Sequence, residues 1–303
     1  MADNGLTVRF WGVRGSHPVP GGSTLKYGGN TSCVEVRANG HVIILDAGTG
    51  IIALGSHLLK EIESGRTQKN LTLLFSHTHH DHIQGLPFFT PGYNPDISLH
   101  LFGPRTLGHD FEETLPKNLT AEFSPVDYEE LKANFLMRNI NESDLLIFGT
   151  DSEPILTLRR NAAPASNEDV VVHVMRSYAH PKIGTLVYRI DADGKSVVYA
   201  TDTEGYVGGD VRLAQFARGA NLLIHDTQYT PQQYVDGIAP RQGYGHSTYE
   251  MAASVANAAM ADNLVLFHHD PRHDDSQISG MEKEARSLFK NTCAAHEGLE
   301  FKF

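Results

Sequence analysis

Four apolar runs in this 303-residue chain each stop on a histidine or an aspartate. Residues 71–75 lead into Ser76-His77-Thr78-His79-His80-Asp81-His82, and residues 197–200 into Thr201-Asp202. Residues 222–224 lead into His225-Asp226, and residues 264–267 into His268. Runs this short and apolar, with β-branched members, read as buried strands. Polar ligands gathered just beyond strand ends are the usual layout of a functional site on an α/β scaffold. The donors are imidazole and carboxylate, with almost no thiolate. That set suits a catalytic transition-metal site with open positions better than a closed structural zinc site.

The densest segment narrows the chemistry further. His77 and His79 are two apart at a strand end, so the alternation of side chains puts both on one side, within reach of one ion. Asp81 and His82 are adjacent in the turn that follows, where a chain reversal directs them to a second ion. His80 falls between and points away from both. A bland alternative is a solvated histidine tract that binds metal weakly. The matching ligand types at the other strand ends speak against it.

This segment resembles the His-x-His-x-Asp-His signature of the metallo-β-lactamase superfamily. Asp46, in Leu45-Asp46-Ala47-Gly48-Thr49-Gly50, resembles the early strand-end aspartate that braces the metal loop. His180, in Ser177-Tyr178-Ala179-His180-Pro181, resembles the third ligand of the first ion; Asp202 resembles the bridging carboxylate and His268 the last ligand of the second ion. The similarity runs from about residue 6 to about residue 275. It implies an α/β fold, the αββα sandwich of two packed mixed sheets flanked by helices. It also implies two divalent ions, zinc first, with manganese or iron(II) as alternatives. His77, His79 and His180 would hold one ion, Asp81, His82 and His268 the other, and Asp202 would bridge. Spacing alone yields the first cluster but does not choose His180 over His173, or Asp202 over Asp226.

The branch of the superfamily follows from what accompanies the ligands. The only cysteines, Cys33 and Cys293, lie outside the ligand loops, whereas lactamases of this fold use a cysteine at the second metal. The flavodiiron branch has glutamate where His79 stands. Glyoxalase II shares the bridging aspartate and stays open as a thioester-hydrolase reading. Gly245-His246-Ser247-Thr248-Tyr249-Glu250-Met251-Ala252-Ala253 resembles a helix start of ribonuclease Z and of phosphonate-pathway cyclic phosphodiesterases. Ser247 or Thr248 would cap that helix, with Glu250 in its first turn. His246 would protonate a leaving alkoxide, or would only orient Asp81 or cap the helix. The catalytic set is therefore His246 with the ligands Asp81 and Asp202.

In His268-His269-Asp270-Pro271-Arg272-His273-Asp274-Asp275, Arg272 matches an arginine that would bind a phosphate oxygen. Its alternative is an ordinary salt bridge to Asp274 or Asp275. His269 and His273 are expected beside the ligands or in solvent. Asp226 stands where ribonuclease Z has a glutamate, and is expected to support the site by hydrogen-bonding His246; Asp46 is a supporting residue too. Ribonuclease Z carries a long tRNA-gripping arm after its third ligand, and residues 182–201 leave no room for one. The hallmarks Phe10-Trp11-Gly12-Val13-Arg14-Gly15-Ser16 and Tyr27-Gly28-Gly29-Asn30-Thr31-Ser32 complete the resemblance to an armless subgroup.

Bulk properties bound the partners. A composition 40% hydrophobic and 20% charged is globular, and 303 residues suit one large domain, 1–303, with an insertion at about 110–166. A net charge of −11 argues against a polynucleotide held on a broad basic face. It leaves room for a small anionic substrate met by two cations. Two distant cysteines suggest a reducing compartment, with Cys33 a small buried hydrophobe. The first five residues lack a signal-peptide pattern, and no run nears the roughly twenty apolar residues needed to span a bilayer, so a cytoplasmic location without a membrane partner is expected.

Strands are expected near 6–12, 32–37, 41–46, 71–76, 170–176, 185–190, 196–200, 221–224 and 263–267. Helices are expected near 51–63, 211–217, 248–260 and 277–295. Residues 128–139 have helical spacing. Phe123, Tyr128, Phe135, Leu136 and Met137 would line a substrate entrance or mediate a homodimer, or simply pack. The glycine-rich turns at 19–23 and 27–30 do not form a P-loop. The function expected is a dinuclear metal-dependent hydrolase, a phosphodiesterase of small or cyclic phosphodiesters. Its rivals are a ribonuclease Z-like RNA endonuclease, a glyoxalase II-like thioester hydrolase and a non-enzymatic metal-binding sensor.

Overall fold

The computed structural model describes residues 5–120, 126–149, 153–162, 166, 169–205 and 209–303. Its strands are β1 (Thr7–Gly12), β2 (Cys33–Ala38), β3 (His41–Leu45), β4 (Asn70–Leu74), β5 (Ser98–Gly103), β6 (Asn134–Asn139), β7 (Asp144–Phe148) and β8 (Ile155–Leu158). They continue with β9 (Val170–Ser177), β10 (Thr185–Ala192), β11 (Lys195–Ala200), β12 (Leu222–Asp226), β13 (Leu264–Phe267), β14 (Thr292–Ala294) and β15 (Glu300–Lys302). The helices are α1 (Gly50–Glu63), α2 (His80–Ile83), α3 (Phe111–Thr114), α4 (Val211–Phe216), α5 (Pro231–Tyr234), α6 (Tyr249–Ala259) and α7 (Asp275–Leu288).

Side-chain alternation sorts the strands into layers. Ile43 and Leu45 of β3 face a central core that also takes Val197 and Tyr199 of β11, Leu222 and Ile224 of β12, and Val265 and Phe267 of β13. The intervening Val42 and Ile44 face α1, which buries Ile51, Leu54, Leu58 and Ile62 along one stripe. On the other side, Val198, Leu223 and Leu264 meet the alanine-rich face of α6 together with α4 and α7. Two sheets thus share one inner core, and each carries helices on its outer face. This is the expected αββα sandwich; a single Rossmann-like sheet is excluded.

The seven-stranded sheet runs β15-β1-β2-β3-β4-β5-β6 and the eight-stranded sheet β14-β13-β12-β11-β10-β9-β7-β8. Strands β3 and β4 are parallel, as are β11, β12 and β13. Strand β9 is antiparallel to β10, which is antiparallel to β11, so β9 runs the same way as β11. Their carboxyl ends therefore open on one edge of each sheet. The histidines and aspartates singled out by the apolar runs gather at those ends, His225 and Asp226 as the last paired residues of β12 and the others beyond their strands.

Two local expectations are corrected. Residues 128–139 are not a helix. A short turn at Tyr128–Glu130 gives way to β6, which takes its backbone partners from β5 in parallel register. Phe135 and Met137 pack with Tyr128 against the outer core, so a sheet ladder overrides the helical spacing. The helix expected over 277–295 begins at Asp275 behind an Asp274–Gln277 capping box and stops at Leu288. Thr292–Ala294 then pairs with β13 as a strand. The segment expected as an insertion builds β6 at one edge of the first sheet and β7 and β8 at one edge of the second. Phe123 lies outside the described residues. No helix among the described residues is long and apolar enough to cross a membrane.

The hallmark at 10–16 begins where the register between β1 and β2 shifts, between Phe10 and Gly12. A Cβ on Gly12 would lie 1.9 Å from the carbonyl oxygen of Thr31. Gly12→Ala should therefore cost about 1–3 kcal/mol, the usual penalty for forcing atoms into a packed interior. The cost will be read as a lower urea midpoint at unchanged slope; an unchanged midpoint would mean that this backbone yields.

Candidate metal centre

The chain leaves three of these strands through a left-handed residue: φ is 61° at Asp46, 52° at Asp202 and 62° at His268. This conformation turns the backbone away from the sheet at once. Asp tolerates it better than most residues, and His is enriched there too. The side chains are thereby set at the strand mouths rather than along the sheet faces.

Asp46 organises the first loop. Its Oδ1 accepts from the backbone N–H of Ser76 at 2.7 Å, and its Oδ2 accepts from Ser76 Oγ, His82 Nδ1 and Tyr199 OH, each at 2.8 Å. Ser76 Oγ, having donated to Asp46, is the acceptor for His77 Nδ1 at 3.0 Å. His180 Nδ1 donates to the carbonyl of Gly245 at 3.3 Å. Each of these rings has one nitrogen engaged as a donor, so Nε2 is left as a lone pair.

Those lone pairs converge. His79 Nδ1 is 2.9 Å from His77 Nε2 and 3.0 Å from His180 Nε2. Beside them, His82 Nε2 and His268 Nε2 are 3.3 Å apart, and Asp81 Oδ2 lies 3.3 and 3.2 Å from them. Asp202 faces both groups. Its Oδ1 is 3.7 Å from His77 Nε2 and from His180 Nε2, and its Oδ2 is 3.2 Å from His82 Nε2 and from His268 Nε2. Within each of these two sets, His77-His79-His180 and Asp81-His82-Asp202-His268, the donor atoms lie within 4.8 Å of one another, as they do in an overlapping group of Asp202, Asp226, His246 and His268. Buried lone pairs aimed at one point repel unless a cation takes them. The donor set therefore fits divalent metal, with imidazole and carboxylate in the proportion common at hydrolytic sites.

Electrostatics divide the ligand rings: burial lowers the pKa of His77 and His180, whereas at His82 burial is outweighed by Asp81, Asp202 and Asp46, which raise it well above the usual imidazole range. Burial, then the neighbouring His180, lower the His79 pKa to about 4, which keeps the ring neutral as a ligand must be. Burial opposes ionisation of Asp202, but His268, His82 and His77 outweigh it and hold the carboxyl well below its usual range. For His246, burial lowers the pKa, while Asp226 and then Asp202 and Asp81 raise it to about 9.

His246 sits at the edge of both sets. Its ring stacks on His268 at 5.0 Å and meets His180 edge-on at 5.3 Å. Nδ1 donates to Asp226 Oδ2 at 2.8 Å, as expected of Asp226. Asp226 also accepts from the backbone N–H of Asp202, Gln228 and Ser247. Thr248, not Ser247, caps α6; Ser247 Oγ instead donates to the carbonyl of Thr203. A cleft of about 480 Å³ opens here, lined by Ser16, Thr78, His79, His80, Asp81, His180, Asp202, His246 and His268. His80 is exposed beside it.

Other expectations land elsewhere. His173 lies outside the cluster, 3.2 Å from Asp191. Arg272 holds Asp270 with Nε and Nη2, not Asp274 or Asp275. His269 and His273 are not solvated: both are 1% exposed. His269 bonds the carbonyl of Ala295 and His273 bonds Gln233.

Sequence patterns gave no role to Arg14 or Ser16. The Arg14 side chain is fully buried and donates to the carbonyls of Gly28, Asp270 and His273, tying the loop after His268 to the amino-terminal hallmark. The Ser16 N–H donates to Asp81 Oδ2 at 2.7 Å, and a Cβ on Gly15 would meet the His268 ring at 2.3 Å. Only the unusual Phe10–Ser16 string itself signals them.

The two faces of Asp202 make a sharp expectation. The parent protein should bind about two zinc ions per chain. Asp202→Asn should lower that content and cut hydrolysis at least 100-fold, whereas Asp226→Asn, which contacts donors rather than facing both sets, should keep metal and lose less activity. Elemental analysis and rate assays on both variants decide it; metal loss confined to Asp226→Asn would reverse the assignment.

Comparison with known proteins identifies the family and the fold. The family described as Beta-lactamase superfamily domain matches residues 41–269. The chain is 26% identical to a protein named Ribonuclease Z from Picrophilus torridus, over 93% of each chain. It is 28% identical to one from Mycobacterium avium, over 84% of this chain and 83% of that one. Among solved structures it is similar to the metallo-β-lactamase fold protein YhfI of Bacillus subtilis (TM-score 0.67, 17% identity, 99% and 100% covered). It is also similar to the human short-form tRNase Z (TM-score 0.61, 19% identity, 97% and 98% covered). With the matched family spanning both ligand sets and both sheets, the chain belongs to the β-lactamase superfamily of metal-dependent hydrolases.

Proposed function

We propose that this hydrolase is a dinuclear phosphodiesterase acting on small or cyclic phosphodiesters. The observation that carries the reading is the Asp226–His246 pair, set beside Asp202 where both donor sets meet, with His246 Nδ1 4.0 Å from Asp202 Oδ1. His77, His79 and His180 would hold one ion, Asp81, His82 and His268 the other, with Asp202 bridging. Such a pair of divalent ions, zinc first, supplies Lewis acidity that acidifies the attacking water and offsets charge growing on the phosphoryl oxygens. The protein's own part is positional. Asp46 and Ser76 fix the rings of His77 and His82, and Gly245 fixes His180. Because Nδ1 of His246 is bound to Asp226, Nε2 is the nitrogen it can offer to a substrate in the cleft, and it gives its proton to the leaving oxygen.

The preference for a small substrate rests on charge. No lysine or arginine is among the described residues lining the cleft, and the chain carries −11 overall. A polynucleotide held through many phosphates needs the opposite. A second reading, an RNA endonuclease, is favoured by the similarity to proteins named Ribonuclease Z. A panel of 2′,3′-cyclic nucleotides, bis(p-nitrophenyl) phosphate, a precursor tRNA and S-lactoylglutathione separates them. The cyclic and aryl diesters should turn over fastest; precursor tRNA as the best substrate would favour the endonuclease, and the thioester would overturn both.

A proton donor matters most when the leaving group is a poor one. His246→Ala should keep both metals and lose roughly tenfold more rate on a cyclic nucleotide than on bis(p-nitrophenyl) phosphate, whose leaving group departs without protonation. Equal losses on the two substrates would make His246 an orienting residue.

A further inference from the structure

The carboxylate of Glu204, two residues beyond Asp202, has no part in the mechanism above. It is 8% exposed, and buried carboxylates are scarce unless they have work to do. Its Oε1 accepts from Tyr234 OH at 2.6 Å and from the backbone N–H of Gly243 at 2.7 Å; its Oε2 accepts from the backbone N–H of Gly245 at 2.8 Å. No cation pairs with it among the described residues; its partners are an O–H and two amides. Three donors converging on one acidic group lock the turn at 243–245 onto the strand mouth that carries Asp202.

That turn is the carrier of two functional side chains. The Gly245 carbonyl receives His180 Nδ1 at 3.3 Å, and His246 follows directly. Gly245 itself has φ 88°, and a Cβ there would lie 2.3 Å from His180 Nδ1, so backbone and imidazole touch with no slack. The neighbouring strand mouth is stitched on the same side: Gly205 N–H donates to Ser247 Oγ at 2.9 Å, and Ser247 Oγ donates to the carbonyl of Thr203 at 2.6 Å. Residues 203–205 and 245–247 thus run together, with Glu204 as the charged member of the seam. Tyr234 brings the end of α5 into the same contact.

We infer that Glu204 is a positioning residue that sets, through the Gly243–Gly245 turn, both the aim of His180 at its ion and the place of His246 over the substrate. The inference rests on the two-ion phosphodiesterase reading above for its second half. Its first half, the aim of His180, concerns metal binding alone and can be tested without turnover.

Glu204→Gln keeps shape and volume but replaces one acceptor by an NH2 that faces an amide N–H. Zinc affinity is measured by chelator competition on the parent and on this variant, with the thermal midpoint recorded for each. One of the two ions should bind about tenfold or more weakly, within the range for residues that orient a ligand, and the other as in the parent. In the same protein, loaded with saturating zinc, rate on a cyclic nucleotide should fall several-fold more than rate on bis(p-nitrophenyl) phosphate. Combining Glu204→Gln with His246→Ala should add nothing to that bias. Tyr234→Phe removes one donor and leaves the carboxylate; it should give the same pattern at two- to threefold, and serves if Glu204→Gln does not fold. Parental affinity for both ions, or equal weakening of both, overturns the aiming role. If His246→Ala alone shows no leaving-group bias, the proton-donor reading fails while the zinc result still judges Glu204. A bias in His246→Ala that Glu204→Gln lacks overturns the second half of the inference.

Discussion

One buried carboxylate joins the two halves of this molecule. Asp46 stands at the mouth of the first sheet and takes hydrogen bonds from Ser76 and His82 on its own side and from Tyr199 on the other. A carboxylate sunk in a sandwich core is costly unless its lone pairs are filled, and here four donors fill them. The arrangement makes the relative position of the sheets and the tautomers of the ligand rings a single problem with one solution. If Asp46 moves, the donor atoms of His82 and the platform beneath His77 move with it. Rigid support of this kind separates a site that grips metal in working geometry from a set of side chains that merely lie close together.

Much of this was legible in the residues. The four apolar runs mark β4, β11, β12 and β13, because a strand buried on both faces shows no polar interruption until it ends. His77, His79, Asp81 and His82 are local and could be read from spacing. His180 could not, since the choice against His173 depends on β9 continuing to Ser177 and the chain then turning back, which takes His173 to a solvent-facing position beside Asp191. Asp202 and Asp226 look alike as aspartates following apolar runs, but Asp202 stands two residues beyond β11 on a left-handed turn while Asp226 is the last paired residue of β12; that offset makes one face both ligand sets and the other face His246. The segment around 128–139 misled because tertiary pairing with β5 outweighed a weak helical period. Arg272 holds an aspartate two residues away, a partner the expected pairing with Asp274 or Asp275 did not name.

The hallmark strings at 10–16 and 27–32 have a physical sense once their contacts are seen. Arg14 is an arginine with a backbone clientele: it satisfies three carbonyls of two loops that have no strand to bond to. Loops that must be irregular in order to carry ligands leave carbonyls unpaired, and a planar, multi-donor group is suited to collect them. Burial of that charge lowers the Arg14 pKa, with Asp275, Glu297 and Asp270 acting in the opposite sense. The site is thus held from beneath by a carboxylate and from the side by a guanidinium, both out of reach of substrate.

The left-handed turns at Asp46, Asp202 and His268 restrict how such a site can change. A β-branched or bulky residue at these positions would meet backbone strain before any question of metal binding arose. Of the residues that bear such a turn readily, aspartate, asparagine, histidine and glycine, aspartate and histidine are the ones that commonly ligate or brace a transition metal. The alphabet open to drift there is therefore only a few letters long, set by backbone sterics ahead of chemistry. New specificity in a protein built this way has to come from the cleft walls, where Thr78 and His80 sit on ordinary backbone and remain free to vary.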